Sequence, residues 1–218
     1  MLISKNYRLS SWVVIIPSIV SVIAGCAGAS HIPLSQSDKN SIRSVSINQT
    51  VTLPETVTYR GPEASIYAVF GAVGAMVGSV ANKSNEEVLK QFMEKNGIDA
   101  AAIVKEQLNT QLHDSQMFSN VVQNDADAQF KIDIVMYGLS NGGNGSKLKP
   151  WLVMNVALIK SDGRVVWQKY LHDISYDDLR LYSLGQYVEK PELLKIGLEK
   201  HARVLFKSMN DDLLHVNP

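Results

Sequence analysis

The chain has a single cysteine, Cys26, and Ile23-Ala24-Gly25 stands directly before it. With no second thiol, an intrachain disulfide is impossible and a zinc cluster of thiolates is excluded. Histidines at 31, 113, 172, 201 and 215 never fall at the i, i+4 spacing that puts two imidazoles on one helix face, and no H-E-x-x-H occurs. His201 lies beside an apolar helical stripe, where a surface or boundary role is expected. His172 and Asp173 are neighbours at the end of an extended run, so their side chains point to opposite faces and do not form a catalytic pair. No G-x-S-x-G elbow is present.

Two polar stretches invite chemistry and fail its requirements. "NGGNGSKLKP", residues 141–150, is Gly-rich and carries Lys147, but Ser146 precedes that lysine and Pro150 leads into a strand. A phosphate loop needs its Lys-Ser/Thr pair opening a helix, so that amides and dipole converge on the anion. A hairpin loop is expected instead. "DISYDD", residues 173–178, groups three carboxylates without the alternating oxygen ligands and turn glycine of a calcium loop, and reads as a solvated loop. The expectation is no catalytic residue, no metal site, no cofactor and no enzyme activity.

The residues around Cys26 have a layout of their own. Lys5 and Arg8 give a basic start, Trp12 to Ile23 is an apolar run broken by Pro17, Ser18 and Ser21, and small residues follow. This is the order of a secretory signal, and the apolar run is shorter than the ~20 residues a spanning helix needs. Ile23-Ala24-Gly25-Cys26 resembles the lipobox of bacterial lipoproteins. The resemblance implies that residues 1–25 are removed, that Cys26 carries a diacylglycerol on sulfur and an acyl chain such as palmitate on its amino group, and that the membrane is a partner through this anchor. Ala27, not aspartate, follows the cysteine, which in such proteins permits sorting to the outer membrane, facing the periplasm. Residues 26–41 are poor in apolar side chains and without periodicity, and read as a lipidated tether. Losing Lys5 and Arg8 leaves a chain with two more acidic than basic residues.

The remaining 42–218 reads as one α+β domain. Of the full 218 residues, 45% are hydrophobic and 19% charged, with zero net charge, which argues against a nucleic-acid partner. "SIRSVSINQTVTLP" alternates, with Val45, Ile47, Val51 and Leu53 on one face, and predicts a first strand. Asp99 is placed to cap a helix whose stripe is Ala101, Val104, Leu108 and Leu112. "FSNVV", 118–122, reads as a short strand, "AQFKIDIVMYG" as a half-buried strand, and "WLVMNVALIK" as a central one, apolar on both faces. Asp162-Gly163 turns it into "VVWQKYLHDI". Pro191 opens a last helix with Leu194, Leu198, Ala202, Leu205, Met209 and Leu213 recurring every three or four residues. The order strand-helix-strand-strand-strand-helix predicts a mixed or antiparallel sheet of four to five strands with helices on one face. Tyr170, Tyr176, Tyr182 and Tyr187 precede the last helix, either as a contact surface or as packing under a long connection.

An apolar insertion interrupts this order at 65–82. Gly71, Gly74 and Gly78 sit among Ala and Val in "YAVFGAVGAMVGSVANKS". A helix over 66–81 would be about 24 Å long, short of the ~30 Å hydrocarbon core. The four-residue spacing of Gly74 and Gly78 makes a smooth face of glycine-zipper type, suited to close approach by another helix or a lipid surface. The reading is a membrane or oligomer contact at Gly71, Gly74 and Gly78, with intramolecular packing and a spanning segment as alternatives.

Ala126-Asp127 before a strand, followed by the hairpin from Gly163 to Trp167, resembles periplasmic lipoprotein domains of the curli-secretion lipoprotein family and the amino-terminal domain of the Tol–Pal translocation protein. Members of such families build secretion pores, activate cell-wall enzymes or act as accessory subunits, so the resemblance implies the fold. The lipobox, the tether and the lack of a catalytic constellation lead to the expectation of an accessory protein of assembly, secretion or transport that works by contact with an envelope protein or with itself. The alternatives are a subunit of an oligomeric outer-membrane secretion pore and a hydrolase whose residues converge only in three dimensions.

Overall fold

A computed structural model describes residues 31–62, 66, 69, 83–115, 117–142, 145–172 and 180–215. Among the described residues are five helices and one mixed, open sheet with two-stranded extensions. The helices are α1 (Gln36–Ser41), α2 (Asn85–Lys95), α3 (Ala100–Ser115), α4 (Leu184–Glu189) and α5 (Glu192–Leu214). The strands are β1 (Ser44–Ile47), β2 (Thr58–Arg60), β3 (Asn120–Val121), β4 (Ala128–Ser140), β5 (Lys147–Lys160), β6 (Val165–Leu171) and β7 (Tyr182–Ser183). The sheet runs β3-β1-β4-β5-β6, with β2 on β4 and β7 on β5. β1 and β2 lie end to end and parallel along one edge of β4, while β4-β5 and β5-β6 are antiparallel. The fold is therefore α+β, as the element order predicts.

Alternation writes β4. Ala128, Phe130, Ile132 and Ile134 are buried, and Gln129, Lys131 and Val135 are exposed. A bulge between Ile134 and Met136 shifts the phase, after which four consecutive residues from Tyr137 to Ser140 are buried. β5 lies between β4 and β6 with α5 packed over it, and its residues from Leu152 to Leu158 are buried on both faces except at Asn155. The turn into β6 closes with Gly163 N–H donating to Lys160 O at 2.9 Å, and Gly163 has φ +87°. Asp99 caps α3 as expected, its Oδ1 accepting from Ala102 N at 3.0 Å.

The helices α3 and α5 pack on each other, and α5 lies on β5 and β6. Leu194, Leu198, Ala202, Leu205, Met209 and Leu213 are all buried in the same cluster as Val45, Leu108, Phe130 and Trp167. Gly197 belongs to that stripe: a Cβ there would collide with the Pro150 ring of β5, so the helix approaches the strand backbone more closely than any side chain allows. Two expectations need correction. His201 is not on the surface or its boundary but only 2% exposed, because it stands three residues after Leu198 and four before Leu205, inside the apolar stripe. The first strand ends at Ile47, and Leu53 is 39% exposed. Asn48 accepts from Thr50 N at 2.9 Å with its side-chain oxygen, a local turn that takes the chain out of the ladder.

The segment read as tether also differs over 31–41. Ile32 exchanges two 2.9 Å backbone hydrogen bonds with Gln168 on the outer edge of β6, and Leu34 is 3% exposed. Ser35 caps α1 by accepting from Asp38 N, and Asp38 takes both guanidinium N–H groups of Arg164 at 2.8 and 3.1 Å. The polar composition of 31–41 belongs to a docked strap whose charges find partners far along the chain. Among the described residues, no helix is long and apolar enough to cross a membrane.

Candidate functional site

The residues singled out for function in the sequence lie mostly outside the described residues. Cys26, Gly71, Gly74 and Gly78 are all among them, as are Asp173 to Asp178 and Tyr176. Of the glycine insertion, Ile66 and Val69 are helical, and Ile66 is fully buried in the core cluster. Tyr187 packs: it is fully buried, its hydroxyl donates to Leu148 O at 3.1 Å, and its ring meets Tyr182 edge-on at 5.7 Å. Among the described residues no three His, Cys, Asp or Glu side chains are grouped to hold a metal ion.

The short motifs that carry the family resemblance turn out to be fastenings. Asp127 Oδ2 accepts from Arg43 N, Ser44 N and Ser44 Oγ at 2.8–2.9 Å, tying the start of β1 to the start of β4. Those bonds, the Ser44 amide first, hold its carboxyl below the usual carboxylate range. Trp167 is fully buried and donates to Asp212 Oδ2 at 2.9 Å. Asp212 also takes Lys169 Nζ at 2.9 Å and stands 3.0 Å from His31 Nε2. One carboxylate thus joins the strap, β6 and the last turns of α5. Burial is the largest influence on Asp212 and opposes its ionisation, but the bonds from Lys169, Trp167 and His31 together hold its pKa below the ordinary value.

The described surface has a concavity with the apolar walls and convergent polar groups of a binding site. It lies on the edge of the sheet opposite the strap. Thr52 pairs with β4 by backbone bonds to Ile132 and Ile134, and β2 resumes the pairing only at Thr58. Between them residues 53–57 leave the edge, and the space is closed by the end of α2 and the turn into α3. The result is a cavity of about 490 Å³. Val57, Met93, Ile98 and Tyr137 form its apolar walls, all buried, with Leu53 exposed at the mouth. Glu55, Glu94 and Asp99 stand on the rim with Lys90, whose Nζ donates to the Glu55 carbonyl at 3.2 Å. Burial, then the charges of Glu94 and Asp99, push the Tyr137 hydroxyl above its ordinary pKa, so it stays protonated at neutral pH. This arrangement has the form of a binding site, and among the described lining residues no nucleophile stands beside a base.

Sequence reasoning missed this cavity because its residues come from three separated segments with no local spacing. The signal that was present is the break in alternation after Ile47, which releases the edge.

No family model matches the chain, and no curated protein matches it. Among solved structures, a Xanthomonas campestris protein of the DUF330 family is similar over 78% of this chain and 85% of its own, at 13% identity and a TM-score of 0.47. A minor lipoprotein from Acinetobacter baumannii is similar over 79% and 95%, at 12% identity and a TM-score of 0.38. The PelC dodecamer subunit from Paraburkholderia phytofirmans is similar over 78% and 85%, at 12% and 0.37. Likenesses this distant do not transfer an activity or an assembly to the chain.

Proposed function

We propose that the chain is a lipid-anchored bacterial envelope protein, acylated at Cys26 and facing the periplasm from the outer membrane, which assists an assembly, secretion or transport system through protein contacts and catalyses no reaction. The observation that carries this reading is Ile23-Ala24-Gly25-Cys26 at the end of a basic start and a short apolar run. The docked strap supports it. His31 is held at Asp212 and lies five residues after Cys26, so the chain joining them reaches at most about 17 Å at ~3.3–3.6 Å per residue. Several acyl chains hold such a protein firmly, whereas one chain alone binds only marginally.

Labelled palmitate is expected to enter the wild-type chain and not the Cys26→Ser variant. Label persisting in Cys26→Ser would overturn the anchor. Replacing Ala27 with Asp is expected to move the protein from outer-membrane to inner-membrane fractions, and an unchanged distribution would remove the outer-membrane assignment. Crosslinking of the purified full chain separates the alternatives, since a closed ring would favour a pore subunit.

A further inference from the structure

We propose that the cavity between Thr52 and Thr58 receives an arginine or lysine side chain from an extended basic segment of a partner protein. The inference rests on the reading of the chain as a contact protein and names the chemistry of the contact.

Tyr137 is the first reason. It lines the cavity and is 7% exposed, yet among the described residues its hydroxyl has no hydrogen-bond partner. The hydroxyl itself keeps contact with solvent, so it is free to accept from an incoming N–H donor, and the ring face can take the cation as well.

Charge is the second. Glu55, Glu94 and Asp99 outnumber the one ammonium on the rim, Lys90, which bonds a backbone carbonyl, so the rim is net negative. Among the described residues Glu55 and Glu94 make no side-chain hydrogen bond and no ion pair. An anionic ligand, a phosphate or an anionic lipid headgroup, would be repelled. The apolar walls suit the methylene stem of a long basic side chain, whose charged head would stay at the carboxylate rim.

The place in the sheet is the third and favours a polypeptide over a small cation. Among the described residues no strand pairs with β4 on this edge between Ile134 and Gly138. An extended segment fits alongside such a gap and presents alternate side chains to it. The volume of about 490 Å³ falls in the ~300–1,000 Å³ range of ligand sites, leaving room for an apolar neighbour of the basic residue.

The test titrates the peptide acetyl-Leu-Arg-Leu-Arg-amide into the full chain in detergent micelles and follows the Met93 methyl signal. The expected result is a saturable shift at Met93, with affinity lowered about tenfold when citrulline replaces arginine, because a charge-assisted bond is lost. Glu94→Gln and Tyr137→Phe should each weaken binding about threefold or more without lowering Tm, since neither removes an existing bond. No shift at Met93, equal binding of the citrulline peptide, or unchanged binding in both variants would overturn the proposal. Agmatine saturating the same signal at the peptide's concentration would overturn the polypeptide assignment in favour of a small-molecule cation. Cys26→Ser is expected to bind the peptide normally, so failure of the lipid anchor and failure of this site are read separately.

Discussion

Trp167 donates its indole N–H to Asp212 Oδ2 at 2.9 Å from a fully buried position, and with the Lys169 bond to the same carboxylate it fastens β6 to the end of the helix that covers it. The carboxylate is not a local cap; it reaches across 45 residues of sequence and is shared with Lys169 and His31.

Replacing Asp212 with Ala leaves the indole N–H and the Lys169 ammonium without their acceptor, and is expected to cost about 1–3 kcal/mol. Asn keeps an acceptor oxygen for Trp167 and should cost less. The pH dependence separates charge from shape. The folded-state pKa of Asp212 lies below the ordinary value near 4, so its contribution is present above about pH 4 and is lost as pH falls through the folded pKa. In Asp212→Asn that part of the acid sensitivity disappears, while the parts from Asp38 and Asp127, also lowered, remain. Urea unfolding at pH 7 and pH 3 measures it; equal acid loss in wild type and Asp212→Asn would refute the assignment.

Two glycines on helices should respond oppositely to the same substitution. A Cβ at Gly197 meets the Pro150 ring, a rigid group fixed in β5, so Gly197→Ala is expected to destabilise by about 1–3 kcal/mol through overpacking. A Cβ at Gly185 in α4 meets only Ser183 Oγ at 3.9 Å. Gly185→Ala is expected to be neutral or stabilising by up to about 1 kcal/mol, from helix propensity and a less free unfolded chain. Urea midpoints of the two variants decide it, and a shared sign would contradict the packing described for α5.

Much of the frame was legible because periodicity and capping are local. The stripe of α5, the Asp99 cap, and the turn at Asp162-Gly163 each declare themselves within a few residues. The same local logic holds for α2, where Ser84 and Glu87 form a capping box directly after the glycine-rich run. What escaped was long-range. Asp38 reads as one polar residue in a tether, and only folding brings Arg164 to it across 126 residues. The cavity is a gap left by an edge strand that ends early, and its polar groups on α2, the α2–α3 turn and β4 share no spacing. His201 was misplaced for a different reason: residue type outweighed a helical position that pointed inward.

The strap gives the last test, because its two contributions differ in kind. Ile32→Pro removes the N–H that donates to Gln168 O along with a half-buried side chain, whereas Leu34→Ala keeps the backbone bonds and removes buried apolar volume at 3% exposure. A net backbone hydrogen bond is worth about 1 kcal/mol and a Leu→Ala truncation about 2–5 kcal/mol where the site cannot collapse. A strap can detach before the domain unfolds, so both losses should appear locally. Gln168 N–H, which donates to Ile32 O, is expected to exchange about tenfold faster in Ile32→Pro and faster still in Leu34→Ala. The Leu158 amide inside the sheet should keep its protection. A freed strap also lengthens the leash: from Cys26 to Ile42 an extended chain reaches about 55 Å, against about 17 Å to a docked His31. Unchanged exchange at Gln168 in both variants would mean that the strap does not shield β6, and the short leash would go with it.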